Sequence, residues 1–382
     1  MSETADVVVI GGGGLGSATA WHLARRGVDV VLLERFAFGH KNGASHDTSR
    51  ILRRSYHTPG YVNLAREAYD DWATLEGESG ERLVTRTGGL DFFPPGAAIP
   101  ADDYLASMDT SGVPYDRLTD REVAARWPAI TLPDGTLSIF QKDTSIVPAG
   151  RSTATMQALA RRRGARLYDE SPVTGIRGGI VTTPDRTISA GRVVITADAW
   201  TNDLLAHLGA RLPLTVLREQ VTYFAPERPA GFGPDRLPVW IWMDDPSFYG
   251  FPTYEGPLVK AAQDCGGAVT TAETRSFDTD PEGLKRLGNF VGGLLPGIGP
   301  PQHTVTCLYT LTPDRDFVID AVPGHPEVYV GLGAAHAFKF APTFGRVLAD
   351  LATTGGTSSE VAPFAMDRPA LVDPDFRPTW LV

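Results

Sequence analysis

The sequence predicts a mixed α/β (α+β) fold. One domain is built around a parallel βαβ unit drawn from both ends of the chain, and a second, mainly antiparallel-sheet domain comes from its middle. Three observations predict this. The N-terminal run Val7-Val8-Val9-Ile10 meets the turn Gly11-Gly12-Gly13-Gly14-Leu15-Gly16, then a helix-compatible stretch over 17–26 that Gly27 ends, then a second apolar run, Val30-Val31-Leu32-Leu33. Alternating strand patterns dominate from 214 to about 305. Apolar runs at 192–196 and 328–332 read as core strands returning to the first sheet. At 382 residues the chain is too long for one small core, so two or three domains or one composite unit are expected.

The elements follow in order. In the first unit, Gly11 allows the tight turn, Gly13 lets backbone approach a pyrophosphate, and Gly16 lets the helix pack closely on the strand. The helix N-terminus then offers unpaired N–H groups to phosphates. Glu34, 18 residues after Gly16, is placed to accept hydrogen bonds from both hydroxyls of an adenosine ribose. A glycine turn without a ligand is the competing reading, but strand, helix and acid all stand in register for a dinucleotide. The turn alone does not choose between NAD and FAD.

Residues 35–57 form a polar segment in which Ser45-His46-Asp47-Thr48-Ser49 leads into Arg50-Ile51-Leu52-Arg53, suited to lining a diphosphate and ring. Arg50 and Arg53, three apart, would face one way on a helix or turn and would want anions; a solvated basic face has the same spacing. Val62, Ala65, Tyr69, Trp72 and Leu75 predict an amphipathic helix over 61–76, with its aromatics in the core. Residues 87–93 read as turn and strand, stopped by Pro94-Pro95. The stretch 96–145 carries short helices near Tyr104 and over 122–127, with two strands around 137–141, and looks like inserted material.

A helix over 151–164 comes next, then strand and hairpin patterns at 165–167, 173–176 and 180–183. Strand 192–196 ends in the loop Ala197-Asp198-Ala199-Trp200. Helices over 282–294 and 342–351 complete the chain. The first domain is expected to comprise 1–90, 145–213 and 305–382, and the second 91–144 and 214–304. The active site is expected in the crevice between them.

Composition narrows the function. Hydrophobic residues at 42% and charged residues at 21% describe an ordinary globular protein. A formal charge of −10, with no long single-sign run, argues against nucleic acid as a partner. No apolar stretch approaches the roughly 20 residues that span a bilayer, and residues 1–6 are polar, so a cytoplasmic protein without a membrane partner is expected. Cys265 and Cys307 could form at most one disulfide, which a reducing compartment disfavours; the plain reading of each is a small buried hydrophobe. No metal site is expected.

Five pieces stand in one order along nearly the whole chain. They are the glycine turn with Glu34, the 45–53 segment, Tyr249-Gly250-Phe251-Pro252 followed by Lys260, Cys307-Leu308-Tyr309-Thr310 with Pro313-Asp314 and Ile319-Asp320, and His336-Ala337-Phe338-Lys339-Phe340. In these pieces the sequence resembles the monomeric sarcosine oxidase and N-methyl amino acid oxidase family, among the D-amino-acid-oxidase-like FAD-dependent oxidoreductases. The resemblance implies a Rossmann-like FAD-binding domain, a substrate domain, and FAD joined through its 8α carbon to Cys307. A thiolate beside cations is nucleophilic, and alkylating the ring eases its reduction. The implied cofactor contacts are Gly11, Gly13, Gly14, Leu15, Gly16, Glu34, Arg35, Ser45, His46, Arg50, Val173, Ala197, Trp200, Cys307, Gly333, Ala334, His336, Phe338 and Lys339.

The resemblance also implies roles. Arg53 and Lys339 would grip a substrate carboxylate, and Arg50 on the other side of the ring would favour negative charge there. Lys260 would activate oxygen, acting through water, and His336 would donate a hydrogen bond beside the flavin. The plain alternatives are a surface lysine at 339 and a structural histidine at 336. The family often has glycine at Asp198, Gly-His-Gly-Phe-Lys where this chain has Ala335-His336-Ala337-Phe338-Lys339, and, in sarcosine-oxidising members, histidine at Asp264. These departures leave the cofactor reading intact and turn the expectation from sarcosine itself to a bulkier secondary or cyclic amino acid with an N-methyl or N-carboxymethyl group. The expected enzyme is a monomer that oxidises the C–N bond of an amino acid with a free carboxylate and reduces O2 to H2O2. A flavin dehydrogenase with another acceptor, an idle FAD-binding protein and, least well supported, an NAD enzyme are the competing readings.

Overall fold

The computed structural model describes residues 2–379. Strand β1 (Ser2–Ile10), helix α1 (Gly14–Arg25) and strand β2 (Val30–Leu33) form the predicted unit, with β1 and β2 parallel and Ile10 opposite Leu33. On the other side of β1 lies Thr187–Ile195, also parallel, and beyond it His325–Leu332. The chain's two ends thus meet in one sheet of eight strands, which Arg166–Tyr168 extends alongside β2. Side chains alternate across a strand, so Val7 and Val9 enter one hydrophobic cluster and Val8 and Ile10 another. Both faces of the sheet are buried, which is why the strand reads as an unbroken apolar run. Helix α1 packs against Ala149–Arg162 and Ala341–Thr354. A Cβ added at Gly345 would lie 2.4 Å from Ala18 Cβ, so the last of these contacts needs glycine.

The second sheet has nine strands and is mostly antiparallel. Its centre is Thr215–Phe224, paired with Val259–Gln263, Ala268–Thr270 and Pro301–Leu311. Residues 305–311, expected with the first domain, belong here: they run antiparallel to Thr215–Phe224 and place Cys307 opposite Glu219. The stretch expected as an insertion adds Asp116–Leu118 and Leu137–Gln141 to this sheet beside Gly89–Phe93.

Arg50–Leu52 is a strand, paired with Ser145–Val147 in a small third sheet, rather than a helix or turn. The chain runs extended here, so the shared face that a helix would give is lost: Arg50 donates to the carbonyls of Ser49, Ala44 and His46, whereas Arg53, just past the strand, donates to Asp91. The helix expected over 61–76 is Pro59–Ser79, with Val62, Ala65, Trp72 and Leu75 buried. Among the described residues no helix is long and apolar enough to cross a membrane.

Candidate active site

A cavity of about 690 Å³ opens at the carboxyl ends of β1 and β2 and runs between the two large sheets. The first sheet contributes Gly11 to Leu15, Glu34 and Thr196 to its wall, and the second contributes Val221, Tyr249, Cys307 and Tyr309.

The glycine turn is built as its spacing predicts. Gly11 holds φ +108°, and a Cβ there would meet the Thr196 carbonyl oxygen at 2.4 Å. Gly16 does not line the cavity; a Cβ on it would sit 1.8 Å from the Gly11 carbonyl oxygen, so it serves helix–strand packing. No side chain caps α1 at Gly13, and the Gly14 N–H donates to Ser45 Oγ at 2.9 Å. Gly13, Gly14 and Leu15 line the cavity, which sets the N-terminus of α1 at its wall in the manner of an anion site. Glu34 is buried, and its Oε2 accepts from the Gly12 N–H at 2.7 Å while Oε1 accepts from the Phe36 N–H at 2.9 Å. Burial would raise this carboxyl, but the bonds from His40, Phe36 and Gly12 outweigh it and hold the pKa below the usual value. His46 is buried on the wall with both ring nitrogens unpartnered. Backbone amides around a glycine cradle, a fixed buried acid and an orphaned imidazole fit an FAD.

Arg35, Val173, Ala197, Trp200, Gly333, His336, Phe338 and Lys339 also line the cavity, whereas Ala334 is buried away from its wall. Glu273 Oε1 accepts from both Arg35 Nη1 at 3.0 Å and Trp200 Nε1 at 3.1 Å, which carries the segment after Ala268–Thr270 across this end. Asp198 sits at φ +47°, a left-handed conformation that glycine adopts at less cost. Its buried carboxyl is pushed up to about 6 by desolvation.

The cationic residues are brought together in part. Arg50 spends its guanidinium on carbonyl oxygens, with Nη1 donating to Ser49 and Nη2 to Ala44 and His46 at 2.8–2.9 Å, and it lies 6.0 Å from the Phe338 ring centre. Arg53 is buried on the wall, donates to Asp91 Oδ1 at 2.9 Å and stands over Tyr56 at 5.0 Å. Lys339, in the turn Phe338–Phe340 that Trp72 anchors by donating to its carbonyl oxygen at 2.7 Å, also reaches the wall. Among the described residues nothing accepts a hydrogen bond from its ammonium; the rings of Tyr56 and Phe340 lie 5.7 and 5.8 Å away. Burial first, then Arg53 and Arg315, push its pKa down to about 7.

Lys260 does not line the cavity. Its Nζ donates to Asp47 Oδ2 at 2.6 Å and to the Ser49 carbonyl and hydroxyl at 3.1 and 3.2 Å. Burial lowers its pKa to about 8, with Asp47 pulling back. His336 Nε2 lies 2.9 Å from the Arg315 carbonyl oxygen, and burial keeps the ring neutral. The Cys307 thiol is buried and raised to about 11, because desolvation outweighs the pull of Arg50; cations alone do not make it a thiolate here.

One wall residue escapes a reading by motif. Arg315, at φ +61°, forms a bidentate pair with Asp264 at 2.7 and 2.9 Å. Asp264 was legible as a departure; its partner was not, although Arg315 directly follows Pro313-Asp314. Glu219 lies close behind, with its carboxyl raised to about 7 by burial.

The profile of the FAD dependent oxidoreductase family (DAO) matches residues 6–351. The chain is 36% identical to a monomeric sarcosine oxidase of Streptomyces avermitilis over 95% of this chain and 97% of that one. It is 33% identical to the human peroxisomal sarcosine oxidase over 95% and 96%. The solved structure of NikD, described as an unusual amino acid oxidase essential for nikkomycin biosynthesis, superposes with a TM-score of 0.85 at 30% identity, covering 95% of this chain and 97% of that one.

Proposed function

The chain belongs to the FAD dependent oxidoreductase family, and from that premise we propose that it is an oxidase of N-substituted or cyclic amino acids that selects them by their carboxylate. The observation that carries the reading is Lys339, a cavity-wall lysine without an acceptor among the described residues, placed beside Arg53. Such a group wants an anion.

On this reading the cavity's glycine turn, Ser45, Glu34 and Arg35 hold the dinucleotide, Arg50, Phe338 and His336 hold the ring end, and Cys307 is the covalent attachment point. The domain of the parallel sheet carries the cofactor, and the other sheet closes over the substrate. FAD held there would supply a two-electron acceptor for the substrate's H–C–N–H unit, whose loss of two electrons and two protons gives an imine that water hydrolyses, with O2 taking up two electrons and two protons to become H2O2.

The chain's own residues do the rest. Arg53 is kept charged and oriented by Asp91, which leaves its other N–H groups for the carboxylate. Lys339 supplies the second contact. Arg50, fixed by three carbonyl oxygens, keeps positive charge at the ring end without competing for substrate. The aromatic walls of Tyr249, Tyr309 and Phe251 displace water from the reacting carbon. Lys260 acts on oxygen from behind Asp47 as a fixed charge held by the protein.

The test is anaerobic bleaching of the bound flavin by a panel of N-methyl, N-carboxymethyl and cyclic amino acids, each paired with its methyl ester. Free acids are expected to bleach and esters to fail, with peroxide formed on admitting air. Equal bleaching by the esters, or by no member of the panel, removes the reading. Bleaching without peroxide moves it to a dehydrogenase.

A further inference from the structure

Lys339 stands among groups whose charges are already fixed. Arg53 approaches after strand Arg50–Leu52 and is neutralised by Asp91. Arg315 approaches from the loop after Pro301–Leu311 and is neutralised by Asp264. Tyr56 and Phe340 cover the ammonium's flanks, and His336, uncharged, belongs to the same loop. Among the described residues these two ion pairs and three rings leave no unpaired anion for a further cation. An ammonium on the cavity wall beside two guanidiniums, with no acceptor for its N–H groups among the described residues, is unfavourable, and the lysine sheds its proton before an anion docks. A docked carboxylate reverses that balance by supplying both the anion and the acceptor.

An amino acid brings the matching problem. It arrives with its nitrogen as an ammonium, and the C–N oxidation needs that nitrogen neutral. Resting on the function proposed above, we infer that Lys339 is the site's proton acceptor: it meets the substrate as a free amine, takes the proton from the substrate nitrogen, and holds the carboxylate as the cation so formed. One N–H bond breaks on the substrate and one forms on Nζ; no electrons enter or leave, and the net charge of the complex is unchanged. The ion pair Arg315–Asp264 is the positioning element, because it sets a fixed cation beside Lys339 while staying neutral overall.

Two isosteric acids that cannot be oxidised, for want of an α C–H and an N-alkyl group, test this: 2-aminoisobutyrate and 2-hydroxyisobutyrate. Binding to the flavin-loaded protein is measured by titration calorimetry in buffers of different ionisation enthalpy, which counts protons. At pH 8 the hydroxy acid is expected to draw most of a proton per site from solvent, and the amino acid, which carries its own, close to none. Hydroxy-acid affinity falls about tenfold per pH unit above 7 while amino-acid affinity stays level. In Lys339→Arg, a permanent cation, the hydroxy acid's uptake disappears.

Binding of the hydroxy acid without proton uptake, equal uptake by both acids, or uptake that survives in K339R each overturns the inference while leaving the carboxylate site standing. Failure of both acids to bind overturns the proposed function and this inference with it.

Discussion

Asp47 Oδ2 accepts a hydrogen bond from Lys260 Nζ at 2.6 Å, and of the two residues only Asp47 lines the cavity. The Tyr223 hydroxyl donates to the other oxygen of the same carboxylate, and Ser49 takes the remaining N–H groups of the lysine. Lys260→Met strips a buried anion of its counter-ion, a change that costs about 3–5 kcal/mol where no rearrangement compensates. Denaturant unfolding reads that loss. In rapid mixing, reoxidation by O2 is expected to slow far more than anaerobic reduction; equal slowing of both would strip Lys260 of its part in the oxygen step.

The same pair predicts a pH dependence. Burial would raise the Asp47 carboxyl, but Lys260 and Arg50 outweigh it and hold it well below the usual value. A depressed carboxyl contributes stability above its unfolded pKa and loses it on acidification, so the wild type should lose stability steeply below pH about 4. The K260M curve should be flatter there. Parallel thermal-melt curves from pH 3 to 6, with those limits set at roughly one unit below and two above the ordinary carboxyl value, would show the pair to be silent.

Cys307 is proposed to bind the flavin covalently. Acid precipitation should carry the yellow colour into the pellet for wild type and leave it in the supernatant for Cys307→Ser. Because the free thiol is raised to about 11, attachment should also speed up with pH between 7 and 9, limits about two to four units below it, as the thiolate fraction grows. A supernatant holding all the colour in the wild type ends that assignment.

Gly16→Ala pushes a methyl into the Gly11 carbonyl. Overpacking of this kind costs roughly 1–3 kcal/mol or more, and here it displaces the turn that cradles the phosphates. With Cys307→Ser in both proteins, so that attachment does not mask affinity, Gly16→Ala is expected to raise the dissociation constant for FAD about tenfold or more, the factor that about 1.4 kcal/mol corresponds to.

Ala335 holds φ +71°, directly after Ala334 at φ +41°. A left-handed alanine costs roughly 1–2 kcal/mol, part of which glycine returns through its greater freedom when unfolded. Ala335→Gly should therefore raise stability by about 0.5–1 kcal/mol, read as a higher unfolding midpoint. A lower midpoint would mean that the loop gains more from the methyl than from relief of strain.

The parallel sheet was legible because its signals are local: four apolar residues, a glycine turn, a helix and an acid at fixed distance. The second sheet was legible in kind and not in extent. Nothing in Cys307-Leu308-Tyr309-Thr310 says which sheet it joins, since that depends on pairing with residues about ninety positions earlier. Arg50 and Arg53 illustrate the wrong period, since three apart means one face on a helix and the chain here runs extended. Asp264 could be seen as a change of residue type, yet only folding shows that Arg315 answers it across the site. Lys260 carried a motif; its burial behind Asp47 carried none.

The contact of Glu273 with Arg35 and Trp200 bears on how the prosthetic group gets in. The ion pair is formed by side chains that are more than two-fifths exposed, and such pairs are worth at most about 1 kcal/mol. A contact that weak adds little to the cost of opening this end of the cavity after the chain has folded. Colourless protein should then be able to pick up its dinucleotide from solution without first being unfolded, and reconstitution becomes a matter of mixing and waiting.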